Sequence, residues 1–154
     1  MKSLLIAVIL AAPMAFADNT STVDAMFAWA SKVTAKMGMQ IQGQTPDGRP
    51  CELDLWDQSV SSMQQAYFSL GTSSNGSTNP GNYTWIGTWI MPGNSYKALS
   101  ITSQAVHFDV VQTEAGYTVP FEEDLTVLLD SQGFPTQAQS SSSHWPSSTC
   151  FLTN

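Results

Sequence analysis

The chain has 154 residues, a length that suits one domain with a hydrophobic core of its own. Five basic residues stand against twelve acidic ones, which gives a formal net charge of −7 at pH 7. This acidic balance argues against a nucleic-acid partner, because a negative surface repels phosphate backbones. It also gives no reason to expect attachment to anionic lipid.

The first residues have the pattern of a secretory signal peptide. Lys2 supplies a positive charge, residues 3–12 are almost wholly apolar, and an A-x-A cleavage pattern ends at Ala17. The apolar run is too short to span a bilayer, which needs about 20 residues. We therefore predict a signal peptide at 1–17 and a single secreted or periplasmic domain at 18–154, without an integral membrane segment. The alternative is a buried N-terminal helix or strand.

Cys51 and Cys150 are the two cysteines of the chain. In an exported protein two cysteines predict a disulfide, and two unpaired thiols or an intermolecular bridge are the alternatives. Neither cysteine lies in a CxxC or CxxH motif, so we predict no metal site there. A bond between them would join the first hairpin to the C-terminal strand and enclose nearly all of the fold.

Residues 20–37 have the periodicity of an amphipathic helix. Apolar side chains recur at helical spacing and form one stripe, at Val23, Met26, Phe27, Ala30, Val33 and Met37. Gly38 suits the position just past the helix, where positive φ is common. A helix with one apolar stripe needs a second layer to cover it, so we expect the rest of the chain to form a sheet.

The apolar period changes to two after the helix, as expected for strands. Pro46, Asp47 and Gly48 have the chemistry of a tight turn, which predicts a hairpin. Pro50 lacks a backbone N–H donor, so we predict an edge or a bulge where the second strand begins. On that strand the inward residues alternate with a polar face, as Cys51, Leu53 and Leu55 against Glu52, Asp54 and Trp56.

Further strands are predicted from period-two patterns at residues 65–70, 83–91, 96–102, 106–111 and 117–121. Residues 71–82 are rich in Gly, Ser and Asn, and are predicted as a loop. Residues 121–129 fit either a helix start after Pro120 or an alternating strand, and we favour the strand. The Ser-rich residues 138–143 are predicted as an edge strand or a loop, and residues 145–151 return Cys150 to the first hairpin.

These elements predict an α+β domain. Its N-terminal amphipathic helix would pack on a curved, mostly antiparallel sheet of about six to nine strands. The alternative is a small closed β-barrel with the helix as a lid. Neither arrangement by itself identifies a function.

The most aromatic strand pattern follows the Ser/Asn-rich loop. Tyr83, Trp85 and Trp89 alternate onto one face, while Ile86 and Ile90 take the other. A row of aromatic rings on a sheet can stack on sugar rings or anchor a partner, so we predict a ligand site at Tyr83, Trp85 and Trp89. The alternative is that this row packs under the helix, in a central strand covered on both sides.

His107 and Asp109 lie two apart on a predicted strand, so their side chains share one face. A histidine beside a carboxylate is a candidate general base, although a solvated sheet face is the simpler interpretation. The acidic triplet at 122–124 lacks the spacing of a calcium loop, and its side chains would diverge along a strand. Asp54 and Asp57 do not share a strand face, so we do not predict a carboxylate pair there.

The chain has no G-x-S-x-G, H-E-x-x-H or P-loop motif. We therefore predict a non-catalytic exported binding or interaction protein, stabilised by one disulfide, whose ligand is an unidentified protein or glycan. We predict no cofactor and no metal. The alternatives are a small secreted hydrolase that uses His107 and Asp109, and a structural component of the cell envelope.

Overall fold

The computed structural model describes residues 20–60, 63–90, 96–112 and 121–153. These residues form one α-helix, nine strands and a short 3-10 turn (Pro80–Asn82). The elements are α1 (Thr20–Met37), β1 (Gln40–Gln44), β2 (Pro50–Val60), β3 (Met63–Ser73), β4 (Tyr83–Ile90), β5 (Ala98–Ile101), β6 (Ala105–Gln112), β7 (Phe121–Leu129), β8 (Pro135–Ser142) and β9 (Ser148–Leu152). The predicted signal peptide and most of the predicted strand at 117–121 lie outside the described residues.

The nine strands form one antiparallel sheet in the order β4-β3-β2-β1-β9-β8-β7-β6-β5. Its two halves are joined where β1 pairs with β9. The sheet curls into an open half-barrel that brings β4 close to β7 and β8. The predicted α+β domain with a curved sheet is confirmed, although the helix is a minor part of it. The closed barrel is not formed, because β4 and β5 are the edges of the described sheet.

The helix covers the inward face of the sheet, against β2, β3 and β5. The predicted stripe is buried except for Met37, which is partly exposed. Trp29 joins this stripe without having been predicted: its ring stacks on Phe68 at 6.0 Å and its indole N–H donates to the carbonyl of Gly133 at 2.9 Å. Phe68 in turn meets Phe108 edge-on at 6.2 Å. One core therefore joins both halves of the sheet.

Gly38 follows the helix with a φ of +85°, as predicted for the residue that ends it. Within the described residues, no helix is long and apolar enough to cross a membrane.

The first hairpin and the disulfide are confirmed. The backbone N–H of Gly48 donates to the carbonyl of Thr45 at 2.9 Å, which closes the predicted turn. Cys51 and Cys150 form a disulfide with their Cα atoms 5.9 Å apart. Pro50 is the first residue of β2, a position where proline is tolerated, but β2 lies between β1 and β3. Pro50 itself pairs with Gln44 of β1, whereas the β2–β3 register begins at Cys51, so this end of β2 has one paired neighbour although the strand as a whole is interior.

Three further strand predictions differ in outcome. Residues 121–129 form the strand β7, as favoured over a helix. The pairing of β2 with β3 extends over residues 57–60 and 63–64, which had no strand prediction. The Ser-rich segment forms β8, which pairs with both β7 and β9 and so is an interior strand rather than an edge or a loop. Small inward side chains such as Ala138 and Ser140 suit the inside of the curl, and both are buried there.

Candidate ligand-binding site

The aromatic row of β4 lies on the sheet face that points away from the helix. Ile86 and Ile90 are buried on the core side, and Tyr83, Trp85 and Trp89 alternate with them along the strand. We call this side of strands β1–β4 the outer face. The alternative arrangement, with the row packed under the helix in a central strand, is wrong, since β4 is an edge of the sheet formed by the described residues and the row lies on the side away from the helix.

Four aromatic rings on the outer face form two pairs. The ring centroids of Tyr67 and Trp89 are 5.0 Å apart, and those of Tyr83 and Trp85 are 5.7 Å apart. Trp89 is 38% exposed, and the other three side chains are half-buried. The predicted row is thus part of a two-strand aromatic surface that is partly open to solvent. Tyr67, from β3, was not predicted.

The ring of Trp85 lies against the backbone of β3. A Cβ atom added to Gly71 would fall 2.6 Å from a carbon of this ring, so only glycine allows so close an approach. The indole N–H of Trp85 donates to the carbonyl of Pro80 at 3.3 Å, in the short turn before β4. The position of Trp85 is therefore determined by both neighbouring segments.

Two acidic side chains of β2, Glu52 and Asp54, share the outer face with the aromatic rings. Both are buried, at 2% and 8% exposure. The side-chain amide of Gln40 donates to Glu52 Oε1 at 3.1 Å, and that of Gln42 donates to Glu52 Oε2. A carboxylate buried beside aromatic rings is thus held by two amides of the adjacent strand.

Asp54 Oδ1 has no such amide partner in the described structure. Burial and the neighbouring Glu52, which hydrogen-bonds to the protonated form and repels the charged one, together raise the pKa of Asp54 to about 7, while the Trp56 indole partly offsets the rise. The cause is that burial disfavours the charged form and a second carboxylate repels it. The carboxyl group of Asp54 is therefore only partly ionised at neutral pH.

Three polar atoms of the outer face are buried without a hydrogen bond of normal geometry in the described structure. They are Asp54 Oδ1, Ser69 Oγ and the indole Nε1 of Trp56. Asp54 and Ser69 are cross-strand partners in the β2–β3 register, and Trp56 follows two residues along β2. We call these three residues the polar floor. Buried polar groups are normally paired, so such a cluster needs a physical explanation.

Burial and the nearby carboxylates change the pKa values of the two tyrosines on the outer face. Burial raises the pKa of Tyr83, and the charge of Glu52 adds to the rise. Burial also raises the pKa of Tyr67; the nearby Ser69 hydroxyl partly offsets this rise, and the charges of Glu123 and Asp54 add to it. The phenol groups therefore stay neutral and remain hydrogen-bond donors at physiological pH.

His107 and Asp109 have different partners. His107 Nε2 lies 2.6 Å from Asp124 Oδ2, on the adjacent strand β7. Asp109 Oδ2 lies 3.2 Å from the ammonium group of Lys97. The carboxylate that orients His107 is thus Asp124, which sequence reasoning did not select because the pairing depends on the β6–β7 register.

The acidic triplet diverges, as predicted for a strand. Glu122 pairs with Lys97, Glu123 is buried, and Asp124 bonds to His107. Within the described residues, no group of three or more His, Cys, Asp or Glu side chains is arranged to hold a metal.

A cleft of about 190 Å³ lies on the core side of the sheet, where β3 and β4 approach β8 and β9. Hydroxyl side chains line much of it, including Thr72, Ser140 and Ser148, with Arg49 also among its walls. It is smaller than most small-molecule pockets, which span about 300–1,000 Å³. Its lining does not include the aromatic row.

No protein-family model, curated protein or solved structure matches the chain. The outer face is therefore interpreted from its own chemistry. It combines stacking surfaces with buried hydrogen-bonding groups, which is the composition of a site that orients a polar ligand. Tyr67, Glu52 and the polar floor were not predicted as site residues, although the alternation of Glu52, Asp54 and Trp56 on one face of the second strand was visible in the sequence.

Proposed function

We propose that the protein is a non-catalytic, exported glycan-binding protein whose ligand lies on the outer face. The observation that carries this proposal is the position of Tyr83, Trp85 and Trp89 on the face opposite the helix, where Trp89 is 38% exposed. Aromatic rings that serve only the core would lie between the sheet and the helix. These rings instead offer their surfaces to a ligand.

The mixture of groups on the outer face favours a glycan over a partner protein. A pyranose ring has apolar C–H faces that stack on aromatic rings and hydroxyl groups that need hydrogen-bond partners. The outer face supplies both, through the paired rings and through Glu52, Asp54 and the glutamine amides. The core of a protein–protein interface, in contrast, is usually depleted in charged side chains.

Export is supported by the Cys51–Cys150 disulfide, since such bonds persist in oxidising compartments outside the cytosol. The proposed location is secreted or periplasmic, in agreement with the signal peptide predicted at 1–17. Detection of the processed chain outside the cytosol, with a new N-terminus at Asp18, would test this part of the proposal.

Glycan binding is tested by affinity electrophoresis in native gels that contain laminarin, mannan or xylan. We expect wild-type protein to be retarded by at least one of these neutral polysaccharides. Trp85→Ala and Trp89→Ala should each weaken the retardation about two- to tenfold, because each removes a stacking contact worth about 0.5–1.5 kcal/mol. Trp145→Ala is the matched control, since Trp145 is 46% exposed but lies outside the outer face.

The control variant should bind as the wild type does. Retardation that survives in a folded Trp85→Ala/Trp89→Ala double variant would show that the ligand lies elsewhere. Absence of retardation in every gel would count against glycan binding itself.

The hydrolase alternative is supported by one contact, the 2.6 Å hydrogen bond between His107 and Asp124. This bond could orient a general base. The hydrolase alternative receives less support than ligand binding because Asp109, the predicted partner of His107, forms an ion pair with Lys97. If the protein hydrolyses any ester or glycoside substrate, His107→Ala should abolish that activity, whereas Trp89→Ala should not change its rate at saturating substrate.

A further inference from the structure

We infer that the polar floor, formed by Asp54, Ser69 and Trp56, is the subsite that recognises hydroxyl groups of a neutral sugar residue. This inference rests on the proposed glycan binding and adds to it which residues select the ligand. It follows from three features of the outer face: the common position of these residues, their burial, and the complementary hydrogen-bonding character of their unpartnered atoms.

The polar floor lies next to the stacking rings. Tyr67 pairs with Trp56 in the β2–β3 register, and Ser69 pairs with Asp54 one step further along the two strands. Ser69 is fully buried and Asp54 is 8% exposed. A ring stacked on the Tyr67–Trp89 pair would therefore place its edge close to these side chains.

The unpartnered atoms form a mixed set of donors and acceptors. Asp54 Oδ1 accepts hydrogen bonds, the indole N–H of Trp56 only donates, and the Ser69 hydroxyl does both. Ser69 and Asp54 do not satisfy each other, although they are cross-strand neighbours. A group placed between them that both donates and accepts would satisfy them, and a sugar hydroxyl is such a group.

Other ligand classes fit this set less well. A cation has no acceptor for the indole N–H of Trp56. An anion would meet the carboxylates of Glu52 and Asp54, which are both buried on this face. A purely apolar ligand would leave all three atoms unpaired, at a cost of about 1–3 kcal/mol for each buried group. A neutral polyhydroxylated ligand is the class that matches the whole set.

The charged environment also makes the subsite pH-sensitive. Glu52 on β2, Tyr67 on β3 and Tyr83 on β4 are the titratable side chains around Asp54 on the described outer face, and the charge of Glu123 on β7 reaches Tyr67. Asp54 changes charge near neutral pH, while the two tyrosines remain neutral there. A sugar hydroxyl that donates to Asp54 stabilises its carboxylate form, so ligand binding should release a proton.

The test is a fluorescence titration with the polysaccharide that retards the wild type most, chosen from laminarin, mannan and xylan. We expect wild-type affinity to rise about tenfold between pH 6 and pH 8, as the fraction of ionised Asp54 rises. Asp54→Asn should bind about tenfold more weakly at pH 8 and lose the pH dependence. Ser69→Ala should lose about tenfold in affinity at both pH values because one hydroxyl partner is removed.

Trp89→Ala separates this inference from the proposed function. It should bind more weakly at both pH values but keep the pH ratio of the wild type, because it removes stacking and leaves the polar floor intact. If Trp89→Ala loses affinity while Asp54→Asn and Ser69→Ala bind like the wild type, the polar-floor subsite is rejected and glycan binding stands. If none of the variants changes binding, both proposals are rejected.

Ligand charge is the second discriminating measurement. Gels with chitosan or polygalacturonate in place of the neutral polysaccharides should cause no retardation that depends on Asp54. The inference would be overturned if chitosan alone retards the wild type and Asp54→Asn abolishes this retardation. That result would mean that the subsite binds a cationic sugar and not a neutral one.

Discussion

At the residue scale, the outer face illustrates how a buried carboxylate affects both binding and stability. Glu52 is stabilised by two glutamine amides, whereas Asp54 retains an unpartnered oxygen. A side chain retained in such an environment lowers the stability of the folded chain when it ionises. The same property makes it responsive to a ligand that supplies the missing hydrogen bond.

The effect of Asp54 on stability has a definite direction with pH. Its pKa is raised from 3.8 to about 7 by burial and by Glu52, so the folded state binds the proton more tightly than the unfolded state. Its destabilising contribution is absent below about pH 4, grows as pH rises from about 4 to 7, and is constant above that range. Each tenfold change in proton affinity is worth about 1.4 kcal/mol, so the upper limit of this contribution is about 4 kcal/mol.

We therefore predict that Asp54→Asn raises the melting temperature more at pH 8 than at pH 4.5. Calorimetry of the wild type and the variant at both pH values measures the difference. Asp47→Asn is a suitable control, because Asp47 is exposed and ion-paired and its pKa is lowered by the hydrogen bonds from Thr45 and Arg49. Removing its charge should therefore not stabilise the protein at pH 8. An equal stabilisation by Asp54→Asn at both pH values would contradict the prediction.

At the element scale, the junction of β1 and β9 determines how the two halves of the sheet meet. Gly43 pairs with Leu152 on one side and with Cys51 on the other. A Cβ atom added to Gly43 would fall 2.4 Å from the carbonyl oxygen of Phe151 and 2.7 Å from Cys150 Sγ. Only glycine therefore allows β1 to lie this close to both β9 and the disulfide that joins β2 to β9.

We predict that Gly43→Ala destabilises the protein by about 1–3 kcal/mol, the usual range for overpacking a buried site. Urea unfolding followed by far-UV circular dichroism measures the change. Gly81→Ala is the control, because the nearest atom to its added Cβ is the Asn79 side-chain oxygen at 3.3 Å on the exposed turn. Equal stability of the two variants would mean that β9 moves aside at no cost.

The elements that could be predicted from the sequence are those with a local signal. The helical stripe of α1 and the turn at Gly48 each depend on residues close together in the chain, and both are confirmed. The strand β8 could not be predicted as an interior strand, because its serines have low hydrophobicity and become buried only where the sheet curls. Hydrophobic patterns detect large apolar side chains and miss small polar ones that pack in tight curvature.

The candidate site was only partly predictable for a similar reason. The aromatic row is a period-two pattern within one strand, so the sequence indicated it directly. Tyr67, Ser69 and Asp54 come together through the pairing of β2 with β3, and one residue of register shift would move each to the other face. Both faces of the β4 pattern are apolar, which suggested a central strand. In the structure β4 is an edge of the described sheet, and its aromatic side chains lie on the partly exposed outer face.

At the scale of the whole molecule, the disulfide connects the two halves of the fold at their junction. Cys51 on β2 and Cys150 on β9 are 99 residues apart in the chain, and both are fully buried. In the chain-entropy account, closing a loop of this length restricts the unfolded state and stabilises the native fold by about 4–5 kcal/mol. The outer face lies on β1–β4, so its geometry depends on the same junction through the β1–β2 pairing.

We predict that Cys51→Ser/Cys150→Ser lowers the free energy of unfolding by about 2–5 kcal/mol, the range found when native disulfides are removed. Because each strand keeps its pairing partners, the folded fraction of the variant should retain the aromatic surface and bind the same polysaccharide with an affinity within about threefold of the wild type. Urea unfolding under oxidising and reducing conditions separates the effect of the lost bond from that of the substitutions themselves. The reduced wild type should have the same free energy of unfolding as the variant. A folded variant that has lost polysaccharide binding would show that the disulfide positions the outer face as well as stabilising the fold.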